Sequence, residues 1–163
     1  MDRLITDLFD TWVSHLGVEG GAAAFGLNAD GMAALEIDQG IIVNFQARSS
    51  PPLLVLFTMV GPLPQANRCA LAEELLEANL LWLNTNGATL SLQRDANGAT
   101  PDVVLAHSIT IHPGTAFTEL QHVFDNICLV ALDWKVRLEN AQHWSPPDTV
   151  QNALPFGCIL PPV

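Results

Sequence analysis

The side chains able to do chemistry are few and lie far apart. His107 and His112 are five residues apart across a strand end and a loop, and His122 and His143 are too distant on a late helical stretch to share a turn. No HExxH run or clustered His/Asp pattern supplies the converging ligands a metal requires, so no metal site is expected. His107, closing an apolar run, reads as a boundary residue. Cys69, Cys128 and Cys158 are odd in number and lack CxxC spacing, which points to free thiols in a reducing compartment. Ser91 and Ser108 stand in strand-like runs without a GxSxG elbow, and Cys128 lies beside a helical seam where burial keeps a thiol protonated. The carboxylate pairs Glu73/Glu77 and Glu119/Asp125 fall on helix surfaces, whereas a general acid and base need unlike environments in one pocket. An enzyme would need His107, His112 or Cys128 to share a pocket with a carboxylate. The spacing indicates no such centre, no cofactor and no catalysis.

The elements that carry these residues are easier to read. Leu4, Ile5, Leu8, Phe9, Trp12, Val13 and Leu16 form one stripe of a 3.6-residue period over residues 2–16, and Gly17 suits a left-handed cap. The glycines of "GVEGGAAAFG" do not match GxGxxG and precede a strand, so they predict a connection and no phosphate loop. From Phe25 the period becomes two: Phe25 and Leu27, then Leu35 and Ile37, then Val43 and Phe45, punctuated by "NADG" and "DQG". "LLVLFTMVG" predicts a strand apolar on both faces, hence central. A helix is predicted over about 65–83, with Leu71, Leu75, Ala78 and Trp82 on one line and Leu76, Leu80 and Leu83 on a second. Two lines exceed what one sheet face can cover, which favours a symmetric partner chain. "NTNG" ends that helix, with Asn84 and Asn86 as hinge residues. "ATLSLQ", the turn "DANG" and "DVVLAHSI" make a second hairpin. The last helix, about 115–143, carries a seam of Phe117, Leu120, Phe124, Ile127, Ala131, Trp134 and Leu138, with an Asp133–Arg137 pair on its solvated surface.

The fold class that follows is α+β: an antiparallel twisted sheet flanked by helices, in the order α-β-β-β-(β)-α-β-β-α, as a homodimer. Its 163 residues suit one domain over 1–144. A proline-rich tail follows over 145–163, either flexible or laid down as an extended segment, with apolar content that favours docking on a surface. The 17 acidic residues against 6 basic ones give a formal charge of −11, which repels a phosphate backbone. With no tyrosine and with tryptophans mostly on helices, a base-stacking surface is not expected either. "MDRLITDLFD" lacks the basic and apolar regions of a secretory signal, and "LLVLFTMV" is too short to span a membrane. A soluble cytoplasmic protein that binds another polypeptide through apolar surface is the expectation.

"LPQANRCALAEELLEANLLW", then "GATLSLQRDANG", "VVLAHSITI" and "FTELQHVFDNICLVALDWKVRL" closely resemble the class I chaperones of bacterial type III secretion, the small acidic family typified by the chaperone of the translocated intimin receptor. "LNADGMAALEIDQGIIVNFQ" and "VGPLP" extend the resemblance over roughly 1–144. It implies a homodimer around which the N-terminal segment of a secreted effector wraps in extended form, with the export ATPase of the secretion apparatus as a further possible partner. By the same resemblance, Leu71, Leu75, Ala78, Trp82, Leu90 and Leu92 map to the dimer interface. Leu8, Trp12, Phe25, Leu27, Leu35, Ile37, Val43 and Phe45 map to effector-binding patches, although alternation does not say which of them are plain core. Asn79 falls at an L-x-x-N position, implying a structural side-chain bond near the dimer seam. The resemblance therefore implies a secretion chaperone that keeps an effector segment soluble; the alternative is a dimeric adaptor or regulator of the same fold, without an export client.

Overall fold

A computed structural model describes residues 2–17, 25–94 and 100–142. Helix α1 (Arg3–Leu16) begins where Asp2 caps it, its carboxylate accepting the Leu4 N–H at 3.0 Å, and stops at Gly17 with φ 69°. Strands β1 (Met32–Glu36), β2 (Ile42–Ser49) and β3 (Pro52–Pro62) form a meander, followed by α2 (Arg68–Asn79), β4 (Thr89–Gln93), β5 (Asp102–Thr110) and α3 (Phe117–Gln142). All neighbours in the sheet are antiparallel and the spatial order is β1-β2-β3-β5-β4, so β3 is central, as its double-sided apolar sequence predicts.

Register divides the sheet into two unlike faces. Val43 stands opposite Thr58, Phe45 opposite Leu56, and Leu90 opposite Leu105, which places these residues with Leu54, Val103 and Ile109 on one inner face. That face carries the core, closed by Ile5, Phe9, Trp12 and Val13 of α1, Leu71, Leu75 and Ala78 of α2, and the α3 seam from Leu120 to Leu138. Leu53, Val55, Phe57 and Met59 point the other way, opposite Thr110, Ser108, Ala106 and Val104, and none of them joins the core cluster.

Four details depart from the sequence reading. Phe25 and Leu27 are not strand: the Asn28 side chain accepts the N–H groups of Asp30 and Met32, building a turn that starts β1 only at Met32. Ile37 lies just past β1, at the entry to a tight turn. The middle helix ends at Asn79, not near 83, because Leu81 and Trp82 adopt φ of 54° and 52° and divert the chain. Asn86 and Gly87 do take left-handed conformations, φ 48° and 94°, while Asn84 has no such φ. The glycine-rich stretch 18–24, the "DANG" turn, His143, Cys158 and the tail lie outside the described residues.

Asn79 closes the question of its own placement. Its amide nitrogen donates to the Leu90 carbonyl at 2.8 Å and its amide oxygen accepts the Leu90 N–H at 2.9 Å, so one side chain satisfies both backbone groups on the free side of edge strand β4. Asn79→Ala should cost about 1–3 kcal/mol, because it strands two partly buried backbone groups, and urea unfolding at fixed protein concentration would read this as a lower midpoint with unchanged slope. Phe45→Ala, in the packed centre of the inner face, should cost about 3–5 kcal/mol in the same measurement.

Candidate polypeptide-binding surfaces

The residues that could do chemistry do not converge. His107 on β5 lies on the inner face beside the loop that follows α2; its ring approaches the Gly87 backbone closely enough that a Cβ there would sit 2.8 Å from Cε1. Burial lowers the pKa of His107, and its Nδ1 has no hydrogen-bond partner among the described residues. His112 is exposed after β5, where its Nδ1 accepts the Gly114 N–H at 3.2 Å, a turn-forming contact. The Cys128 thiol is raised to about 11, first by burial and then by the nearby Asp125 carboxylate, so it stays protonated at neutral pH. Among the described residues no three His, Cys, Asp or Glu side chains group as a metal site, and no helix is long and apolar enough to cross a membrane.

What the fold does assemble is apolar surface beyond its core. The first such surface is the outer side of α2 and the turn after it. Leu76 is 73% exposed, Leu80 65% and Leu83 74%, and the groove beside them is walled by Ala72, Leu75, Leu90 and Leu92. Of the six residues expected at a dimer interface, Leu71, Leu75, Ala78 and Leu90 are buried within the chain itself, leaving only Trp82 and Leu92 outward. The exposed residues are instead those the sequence placed on its second apolar line, Leu76 on α2 and Leu80 and Leu83 in the turn beyond it. Arg137 of α3 steadies α2 from the other side. It pairs with Asp133 at 2.9 Å, lies 3.9 Å from Glu74 and stacks over Trp134, so its role extends beyond the surface pair that spacing predicted.

The second surface flanks α1. Of the eight residues expected to touch an effector, Trp12, Val43 and Phe45 have no solvent-exposed area and Leu8 is buried, so these four hold the fold together. They cannot be first contacts for a client. Phe9, Trp12, Phe25 and Phe45 form an aromatic cluster with centroid separations between 5.2 and 6.4 Å, and the Trp12 indole N–H donates to Gln121 of α3 at 2.7 Å. Phe25, Leu27, Leu35 and Ile37 are only half-buried against the core, and they lie on or beside β1, an edge strand of the sheet. The third surface is the outer row of β3, which no helix covers among the described residues. Periodicity had marked β3 as apolar on both faces without saying that one face would lack a cover.

This fold matches several solved structures. The Yersinia pestis type III secretion chaperone SycH, in complex with a stable fragment of YscM2, is 22% identical, with 82% of this chain and 98% of that chain aligned and a TM-score of 0.59. A HopA1–SchA chaperone–effector complex aligns over 84% of this chain and 94% of that one at 16% identity, with a TM-score of 0.61. YbjN of E. coli, a candidate transcription regulator, aligns over 80% and 91% at 15% identity, with a TM-score of 0.58. At such identities the likeness establishes architecture alone. No curated protein sequence matches the chain. The profile of the Tir chaperone protein family, however, matches residues 11–126, from the middle of α1 through the first half of α3. That span takes in the whole sheet and both flanking surfaces, and the chain belongs to the Tir chaperone protein (CesT) family.

Proposed function

We propose that this protein is a type III secretion chaperone that binds the N-terminal segment of an effector in extended form and keeps it soluble until export, acting as a homodimer in the bacterial cytoplasm. The observation that carries the reading is the coexistence of a complete core with large, outward apolar side chains: Leu76, Leu80 and Leu83 are exposed although the inner face is already closed. A twofold partner is the simplest cover for this one patch on α2 and the turn after it, since the patch meets its own copy. The half-buried Phe25, Leu27, Leu35 and Ile37 and the open edge of β1 suit an extended client, with main-chain pairing at the edge and side chains set against the aromatic cluster. Leu8, Trp12, Val43 and Phe45 support this patch from beneath. No step calls for a cofactor or for turnover.

The charge of −11 favours a client segment that is neutral or basic. The export ATPase is a further partner in this reading. A second reading, an adaptor or regulator without an export client, is favoured by the likeness to YbjN. Co-purification separates them: a stoichiometric N-terminal effector fragment supports the chaperone, and retention of only a folded partner supports the adaptor.

Two outcomes are expected. Leu76→Asp with Leu80→Asp should shift the assembly from dimer to monomer in sedimentation, with the helical content retained. Leu35→Asp should leave dimerisation intact and lower retention of a co-expressed effector N-terminal fragment at least tenfold, because a charge would be desolvated against the client.

A further inference from the structure

The outer row of β3 remains without an occupant, and the geometry points to one: the chain's own segment 145–163, lying extended across that face. Four observations converge on it. Leu53, Val55, Phe57 and Met59 form an apolar row along an 11-residue central strand; the first three are half-buried and Met59 is 54% exposed. Val104, Ala106, Ser108 and Thr110 border the row on β5, and Asn44, Gln46 and Arg48 border it on β2. A row of this kind on a central strand is a surface built to be covered.

The described chain ends near one end of the same strand, on the inner side of the sheet. The Leu138 side chain reaches β3 at Gly61, with Cδ1 3.8 Å from where a Cβ would stand, so the last turn of α3 lies at the Met59 end of the row. A groove walled by Pro62, Leu63, Pro64, Gln65 and Thr100 opens at the same end of the sheet. Residues 143–163 span about 70 Å when extended, whereas the sheet is about 10 Å thick and β3 about 36 Å long. The segment can round the end of the sheet and run the whole row toward Leu53.

Its sequence fits a face better than an edge. Leu154, Phe156, Cys158 and Leu160 alternate along one side of an extended chain, and no charged residue follows Asp148. Pro146, Pro147, Pro155, Pro161 and Pro162 lack the N–H groups an added edge strand needs, yet they favour the extended conformation that packs flat. The family profile ends at 126, before this segment begins. The inference needs no client and stands apart from the chaperone reading.

Disulfide trapping in the full chain tests it. With Cys69→Ser and Cys128→Ser, Cys158 is the sole native thiol, and a second is introduced by Phe57→Cys on the outer row or by Glu119→Cys on the exposed side of α3. Mild oxidation should give an intrachain bond at position 57 at least tenfold faster than at 119. Equal rates at the two positions, no bond at 57, or a bond at 57 that joins two chains would each overturn the inference. An independent measurement uses Phe156→Asp with Leu160→Asp, with folding checked by circular dichroism. Binding of an apolar dye should rise at least twofold, and unchanged binding would refute the docking.

Discussion

Phe9 and Trp12 of α1, Phe45 of β2 and Phe124 of α3 meet over the inner face of the sheet, at centroid separations from 5.1 to 6.1 Å. This cluster is where two helices distant in sequence are fixed to one another and to the sheet. Its rings supply large buried area, and the Trp12 N–H reaches Gln121, whose own amide donates to Asp125 at 2.7 Å, so the polar atom of the buried indole is satisfied. Because α1 and α3 both spend their apolar stripes here, neither is available to the opposite face. The one-sidedness of the sheet, and with it the uncovered outer row of β3, follows from that contact.

The two ends of the sheet are treated differently. At β4, the Asn79 amide occupies the free backbone groups of Leu90, and the Trp82 indole N–H reaches the Thr89 hydroxyl at 3.3 Å, so the edge is partly sealed by side chains from α2 and its turn. Asn126 of α3 further holds the loop after α2, donating to the Thr85 carbonyl at 2.8 Å. A surface fixed in this way loses less conformational entropy when it pairs with any partner. At β1 no comparable clamp is present among the described residues, and only the Asn28 turn braces its start. An open edge next to half-buried apolar side chains suits a segment that brings its own backbone groups to be paired.

Much of this was legible in the sequence, for reasons that differ by element. α1 and α3 carry strong 3.6-residue stripes, and both appear within two residues of the expected bounds. The central place of β3 follows from its double-sided composition. The α2 terminus was misread because leucines continue through 80–83, and composition alone does not reveal that Leu81 and Trp82 turn left-handed. Phe25 and Leu27 alternate like a strand, but the Asn28 side chain takes the N–H groups of Asp30 and Met32 and sets the turn from which β1 starts. Among site residues the difficulty is deeper. Alternation assigns Val43 and Phe45 to one face and cannot say whether that face meets a helix or water; only the packing of α1 and α3 decides it. The membership of the family was readable from the order of its elements, whereas the outward row Leu76, Leu80 and Leu83 needed the structure to show which of two apolar lines faces in.

Charge then decides which contacts such a surface accepts. Apolar attraction acts at contact distance and does not discriminate among partners, so a chain exposing leucines at this density risks indefinite association. A formal charge of −11 on 163 residues opposes the approach of further acidic copies over a range of about 8 Å at physiological salt. In the proposed homodimer, one twofold contact over the exposed leucines overcomes that repulsion once, but each further copy would meet a larger charge with less apolar area left to gain. A neutral or basic polypeptide meets no such barrier. The same acidic excess that limits self-association therefore leaves the remaining apolar surface open to a chain of different composition.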